Sequence, residues 1–395
     1  MAVNSLTFEQ SAAFLNDLYQ QATGQKVLTN IDTGNFVSVA QTVLQTGYDN
    51  VINSISQVIG RTIFSVRPYT AKFKGIDVDS QKWGAITRKI NFVDGNLEND
   101  SRMTLTDGQS VDQWTVNKPK IVQTNFYGAT QYQRSITIFR DQLDAAFHDA
   151  DEFGRFIAGV LQNVEDQLEQ IREEEARACL ANFIAGKYAS TEVRNVIDVL
   201  ALYKSETGSS VTRANVFNSD NFVPFTKWLY SYVNSLTRKM GERSEEFHTK
   251  ITGNPIMRHT PADRMKAYMT ASFLDKIGSV ALPSLFGADR LKMIDFEPVT
   301  YWQSIKTPDE IKATPTYLND DGTLDTSAET VTVGNIIGCI FDEDALGITR
   351  MSTWSQATPM NAKGGYYNIF WHFTQKMWND FTENGVILTL GPAGE

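Results

Sequence analysis

Two hydrophobic periods alternate along the chain. Phe14, Leu15, Leu18 and Tyr19 share one helical face, and Thr7 stands three residues before Gln10, the spacing of a capping box. Beyond Asp32-Thr33-Gly34, the positions Tyr48, Val51, Ile52, Ile55, Val58 and Ile59 predict a second helix that stops at Gly60. From Ile63 to about Phe139 the pattern turns to short β-rich stretches at 70–74, 85–93, 120–126 and 131–139, with Asp94-Gly95 and Asp107-Gly108 as turn dipeptides. The polar interval between Asp94 and Val116 is too long for a simple hairpin loop and too poor in large aliphatics for a core of its own. It predicts a long two-stranded excursion.

The strongest element follows. Asp149, Asp151 and Glu152 suit a helix N-terminus, and Phe153, Phe156, Ile157, Val160, Leu161, Val164, Leu168 and Ile171 keep one stripe. Ala178, Leu180, Phe183 and Ile184 carry it to Gly186, so that roughly 35 residues make a helix of about 50 Å, a spine through the molecule. Further on, Phe225, Trp228, Leu229, Tyr232, Val233 and Leu236 mark another helix. Stretches 265–275 and 291–302 are ambiguous, and 318–329 reads as a polar loop around Asp321-Gly322. From Ile336 to Leu390 the chain is β-rich and aromatic, without internal repeats. The fold class is α+β.

Composition narrows the function. At 395 residues there is room for two or three domains, and 42% hydrophobic residues with 23 Phe, 14 Tyr and 7 Trp exclude disorder as a description of the whole. The formal charge of -10 argues against affinity built on neutralised phosphates. Cys179 and Cys339 are too few for a disulfide framework and fit a reducing, cytoplasmic setting. The first residues lack a signal-peptide pattern, and no run of about eighteen apolar residues occurs, so no membrane association is expected.

Candidate chemistry is sparse, and neither cofactor nor metal is expected. His148, His248, His259 and His372 show no shared-ligand spacing. Asn319-Asp320-Asp321-Gly322 would place Tyr317 and Ala328 at the ends of a calcium loop, so it reads as a turn. Gly154 and Gly159 have phosphate-loop spacing, but Val160-Leu161 follow where Lys and Ser or Thr are required. Gly108 to Asp112 misses the nucleophile elbow, and Glu173-Glu174-Glu175 reads as a solvated helix face. Paired carboxylates keep a carbohydrate-active enzyme open as an alternative.

The order of arm, β excursion, long helix, mixed insert and β-rich return resembles the major capsid proteins of tailed phages, whose fold is shared with herpesvirus shells and encapsulins. The segment Ile336 to Gly347, then Asn361, Asn368 and Trp378-Asn379-Asp380-Phe381-Thr382-Glu383-Asn384 before the last strand, is most similar to those of small short-tailed phages. The resemblance implies an N-arm with its helix (1–64), an extended E-loop (65–135), a P-domain on the spine helix (136–199), an axial A-domain (200–345) and a return to the P-domain (346–395). It also implies a structural, non-enzymatic subunit of an icosahedral virion shell. Such shells assemble from pentamers and hexamers in the host cytoplasm, with a scaffolding protein and a portal, and enclose double-stranded DNA without binding it specifically. An encapsulin-type cargo compartment is the other shell alternative.

Two expectations concern assembly. Residues 1 to about 30 should pack on a neighbouring subunit more than on their own core, so deleting them should spare folding and impair assembly. The excursion divides its charge: between Arg61 and Val93 seven basic residues face Asp77 and Asp79, whereas Asp94, Glu98, Asp100, Asp107 and Asp112 face Arg102 alone. Either this is a solvated loop, or the acidic tip of one subunit lies across a basic strip (Arg67, Lys72, Lys74, Arg88, Lys89) on the next.

Overall fold

The structure is a computed structural model that describes residues 7–24, 31–59, 76–78, 86–95, 104–114, 116, 118–148, 150–190, 195–278, 296–319, 321–325 and 329–392. Three helices come first, α1 (Phe8–Thr23), α2 (Phe36–Gln45) and α3 (Tyr48–Ile59). Then follow β1 (Asp77–Val78), β2 (Ile86–Phe92), β3 (Ile121–Tyr127), β4 (Thr130–Phe139), α4 (Arg140–Ala146) and the long α5 (Ala150–Ala189). The insert holds β5 (Val196–Asp198), α6 (Val199–Thr207), α7 (Ser219–Gly241), β6 (Met265–Thr270), α8 (Ala271–Lys276) and β7 (Glu297–Val299). Four short strands lead out of it: β8 (Ile311–Ala313), β9 (Tyr317–Leu318), β10 (Leu324–Asp325) and β11 (Val331–Val333). The return is β12 (Ile336–Asp342), β13 (Leu346–Ala357), β14 (Tyr366–Asn379) and β15 (Gly385–Thr389).

Helix α1 is capped as its sequence predicts. Thr7 Oγ1 accepts from the Gln10 N–H at 3.3 Å, and Gln10 Oε1 accepts from the Thr7 N–H at 3.0 Å. Gly24, at φ 72°, closes it in the left-handed conformation. Its partner corrects an expectation, because the apolar stripe is covered by its own chain. Phe14, Leu15 and Leu18 are buried with Phe36, Val51, Ile52 and Ile55 against Phe147, Phe153 and Ile157. The stripes of α2, α3 and α5 match that of α1, so the helix gains its burial without a neighbour.

At 40 residues, α5 spans about 60 Å. Its first half closes the helical cluster; its second half, through Leu180, Phe183 and Ile184, lies under a five-stranded sheet of order β5-β15-β12-β6-β7. The side chains of Leu161 and Val164 lie outside the described residues, as do residues 70–74. Helices α6 and α7 cover the other face of that sheet, where Phe225, Leu229 and Val233 meet Ile340, Val386 and Leu388. Strands β12 and β15 are therefore buried on both faces, which is why their sequences are nearly unbroken apolar runs. A second sheet, β1-β13-β14-β4, packs with Ile138, Tyr367, Ile369 and Trp371 against the helical cluster.

Local ambiguities resolve physically. Residues 265–270 form a strand and Ala271 starts a helix; the polar loop at 318–329 holds a minimal hairpin, β9 with β10, turned at Gly322 with φ 80°. The Glu173–Glu175 run is not a solvated face. Glu174 is exposed, but Glu173 is buried against Arg177 at 2.5 Å and Glu175 is buried facing Tyr132, because the 301 loop and β4 cover the helix there.

Candidate assembly interface and its anchor

Strands β2 and β3 pair as a hairpin whose two faces differ. The register sets Phe92 opposite Ile121, Ile90 opposite Gln123 and Arg88 opposite Asn125, all on one face. That face is open: Phe92 is 68% exposed, Tyr127 71%, and Ile90 and Ile121 are exposed beside them. Alternate residues Lys89, Asn91 and Phe126 point the other way, onto the body of the same chain.

Their landing site is the turn Asp380–Asn384 between β14 and β15. Lys89 Nζ lies 2.7 Å from Asp380 Oδ2 and also pairs with Glu383. Arg258 joins the pieces: it donates to Asn91 Oδ1 at 2.9 Å and to the Thr382 carbonyl at 3.0 Å, and sits 3.2 Å from Glu383 Oε1. The Phe126 ring stands 6.3 Å from that of Trp378, and Lys376 donates to the Phe126 carbonyl. From below, Lys187 of α5, fully buried, donates to the carbonyls of Phe381 and Glu383, each at 3.2 Å. Gly186 leaves room for the Phe381 ring, since a Cβ there would sit 2.5 Å from it; that ring stacks on Phe183 at 5.8 Å.

The charges are mutually set. Burial alone would raise the Asp380 carboxyl, but Lys89 and the Thr382 donors outweigh it and hold it below the ordinary range. Glu383 is raised, because burial exceeds the pull of Lys89 and Arg258. Lys89 goes up, the two carboxylates outweighing its burial. Burial, with Lys187 and Arg258 alongside, pushes His248 down to about 4, so it is neutral and structural. Burial pushes Lys187 down to about 7, against Asp380, Cys339 and Glu383.

This last shift has a measurable sign. An unfolded lysine keeps its proton to about pH 10.4. Between about pH 7 and that value the folded chain binds fewer protons than the unfolded one, so the Lys187 contribution rises with pH and is lost as pH falls through 7. The stability of the parent relative to Lys187→Met, followed by urea denaturation from about pH 6 to about pH 10, is expected to grow with pH, by at most ~1.4 kcal/mol per unit. A pH-independent difference would mean that the amine is hydrated.

Of the residues singled out from sequence, Asp94 is held within its own chain, where it pairs with Arg243 and accepts from the Met257 N–H at 2.7 Å. Lys89 is likewise committed to Asp380 and Glu383 rather than offered to a neighbour. Both are drawn in because the far end of the paired strands lies against the 243–258 segment and their inner face against the 380 turn. Arg88 is exposed on the outer face; Asp107 and Asp112 are exposed near the tip, beside Trp114 at 81% exposure. Glu98, Asp100, Arg67, Lys72 and Lys74 lie outside the described residues. Sequence reasoning missed the anchor itself. Lys187 was its legible signal, a charge in register with Phe183 and Ile184 on an apolar helix face.

No group of His, Cys, Asp and Glu able to hold a metal occurs among the described residues, and no described helix is long and apolar enough to cross a membrane.

A long helix under a two-faced sheet, with a second sheet and a docked hairpin, is the fold of tailed-phage capsid subunits. A chain of the Staphylococcus phage Andhra capsid superposes with a TM-score of 0.55 at 12% identity, over 84% of this chain and 87% of its own. A chain from the structure of head fiber and inner core protein gp22 of native bacteriophage P68 gives 0.55 at 10% identity, over 84% and 87%. No curated protein matches. Residues 12–389 match the family described as Phi29-like phage major capsid protein, and the chain belongs to that family. It is thus a major capsid protein, a structural component of the phage virion whose copies build an icosahedral capsid; neither the cargo compartment nor the carbohydrate-active enzyme is favoured.

Proposed function

We propose that this chain forms the pentamers and hexamers of a shell around double-stranded DNA, with no catalytic step of its own, and that the hairpin is the arm by which one copy grips the next. The observation that carries the reading is the open apolar face of Ile90, Phe92, Ile121 and Tyr127 on an element pinned by its opposite face. Large exposed apolar patches on a rigid mount mark interaction surfaces. Asp107 and Asp112 at the tip, and Arg88 on the outer face, are the charged groups placed to set register with a neighbour. The division into arm (1–64), E-loop (65–135), P-domain (136–199), A-domain (200–345) and P-domain return (346–395) belongs to the same reading. So do assembly in the host cytoplasm and partnership with a scaffolding protein and a portal, while the charge of -10 supports an inner wall to which DNA does not adhere.

The test is Phe92→Asp with Tyr127→Ser. Both side chains are solvated in the free chain, so melting should match the parent, while electron micrographs of assembly reactions should show neither rings nor shells. Normal shells from the double variant would refute the gripping role.

A further inference from the structure

Strands β13, β14 and β4 turn one face of their sheet onto the helical cluster through Tyr367, Ile369 and Trp371. Alternate residues point the opposite way and build an outer face. Register places Trp354, His372 and Gln133 in one row across it and Gln356, Phe370 and Ser135 in the next. From Tyr366 to Thr374, with the partners on both flanking strands, no Asp, Glu, Lys or Arg stands on this face, although 21% of the chain is charged.

Groups that both donate and accept stand there instead. The amides of Gln131, Gln133 and Gln356 are exposed and have no hydrogen-bond partner among the described residues. Asn368 accepts from the Thr137 hydroxyl at 2.7 Å, which holds its amide in place. Trp354 adds an apolar platform: it is 52% exposed, and its ring stacks on His372 with centroids 3.9 Å apart and planes at 16°. The imidazole covers one face of the indole, so the exposed surface is the other face and the rim.

These properties select a ligand by elimination. A phosphate chain would find no Lys or Arg here, and a basic peptide no carboxylate. An apolar helix would bury the amides without partners. A pyranose fits all three features, being neutral, dense in hydroxyls that donate and accept, and apolar on the face of its ring. Its C–H bonds can meet the electron-rich indole while its rim hydroxyls reach the amides.

We propose that the outer face of the β13–β14–β4 sheet binds a neutral oligosaccharide, with one ring stacked on the free face of Trp354 and hydroxyls paired by Gln356 on the same strand and by Gln133 beyond His372. The face is about 10 Å wide across its three strands and about 27 Å long from Tyr366 to Thr374, room for several rings. Without a carboxylate on it, the sugar is held and not cleaved. The inference is independent of the gripping role, since Phe92 and Tyr127 take no part in it.

The test is an array carrying maltohexaose, cellohexaose, chitohexaose and heparin, probed with the full chain, followed by calorimetry of parent and variants on whichever glycan binds. The parent should bind a neutral hexasaccharide and leave heparin free. Trp354→Ala should weaken that binding about tenfold and Gln133→Ala about threefold, and both chains should melt with the parent, because the two side chains face solvent. If Trp354→Ala does not fold, Gln133→Ala decides. No neutral glycan bound, binding confined to heparin, or undiminished binding by the deciding variant overturns the proposal. So does a Trp354→Ala chain that fails to assemble while holding glycan as the parent does, because the occupant is then a second copy.

Discussion

Replacing Asp380 with Ala is expected to lower the unfolding free energy by about 3–5 kcal/mol, the range for breaking a buried charge pair from one side. The Asp380 side chain is 1% exposed; it faces Lys89 at 2.7 Å and accepts from the Thr382 N–H at 2.9 Å and hydroxyl at 2.6 Å. Truncation leaves those two donors buried without this acceptor and strips Lys89 of one of its two carboxylates. The hairpin should loosen with it, seen as faster amide exchange at residues 86–92. The effect has a pH signature. A carboxyl held below its ordinary value stabilises the fold above the unfolded pKa of about 3.9, and that stability is lost as pH falls through the folded value. The gap between parent and variant should therefore be full at neutral pH and close in strong acid. A loss under about 1 kcal/mol at neutral pH would place Asp380 in the class of solvated surface pairs.

Phe153→Ala is expected to cost about 3–5 kcal/mol, as for a fully buried Phe whose cavity cannot collapse. Its ring is the meeting point of the helical cluster, edge-on to Phe147 at 5.1 Å and to Phe36 at 5.7 Å, and tilted against Phe14 at 6.0 Å. Those three neighbours come from three different parts of the chain, so relaxation to fill the hole would have to move α1 and α2 together. Phe14→Ala made on top of Phe153→Ala should cost less than in the parent, since the two rings share one site. The same packing reverses the expectation for residues 1 to 30: removing them uncovers Phe153 and should lower stability as well as assembly. A Phe153→Ala chain that unfolds at the parent's midpoint would place the ring outside the packed core.

Local and periodic features were legible in the sequence. Thr7 and Gln10 announced a cap that forms as written, the stripe from Phe153 announced α5 almost to its last residue, and the apolar closing run announced β15. What could not be read was partnership. The stripe of α1 states that something covers it, not whether that cover belongs to the same molecule. Asp94 looks like one more acid in an acidic stretch, and only the approach of the 243–258 segment turns it inward. The Trp378–Asn384 stretch was conspicuous as a signature, yet its work is done with Lys89, Lys187 and Arg258, which stand far away in the chain. Its meaning is tertiary, and periodicity carries no record of it.

The placement of β15 between β5 and β12 bears on how a cell makes this protein. Strand β5 ends at Asp198, and its parallel partner begins only at Gly385. At a translation rate of about 5–20 residues per second, the ribosome needs roughly ten to forty seconds to make the intervening chain. Throughout that interval β5 lacks its partner beside the apolar face of α5, and β12, once made, stands with one edge bare until β15 follows. Until the last strand emerges, a nascent chain exposes an unpaired apolar sheet edge of the kind that aggregates.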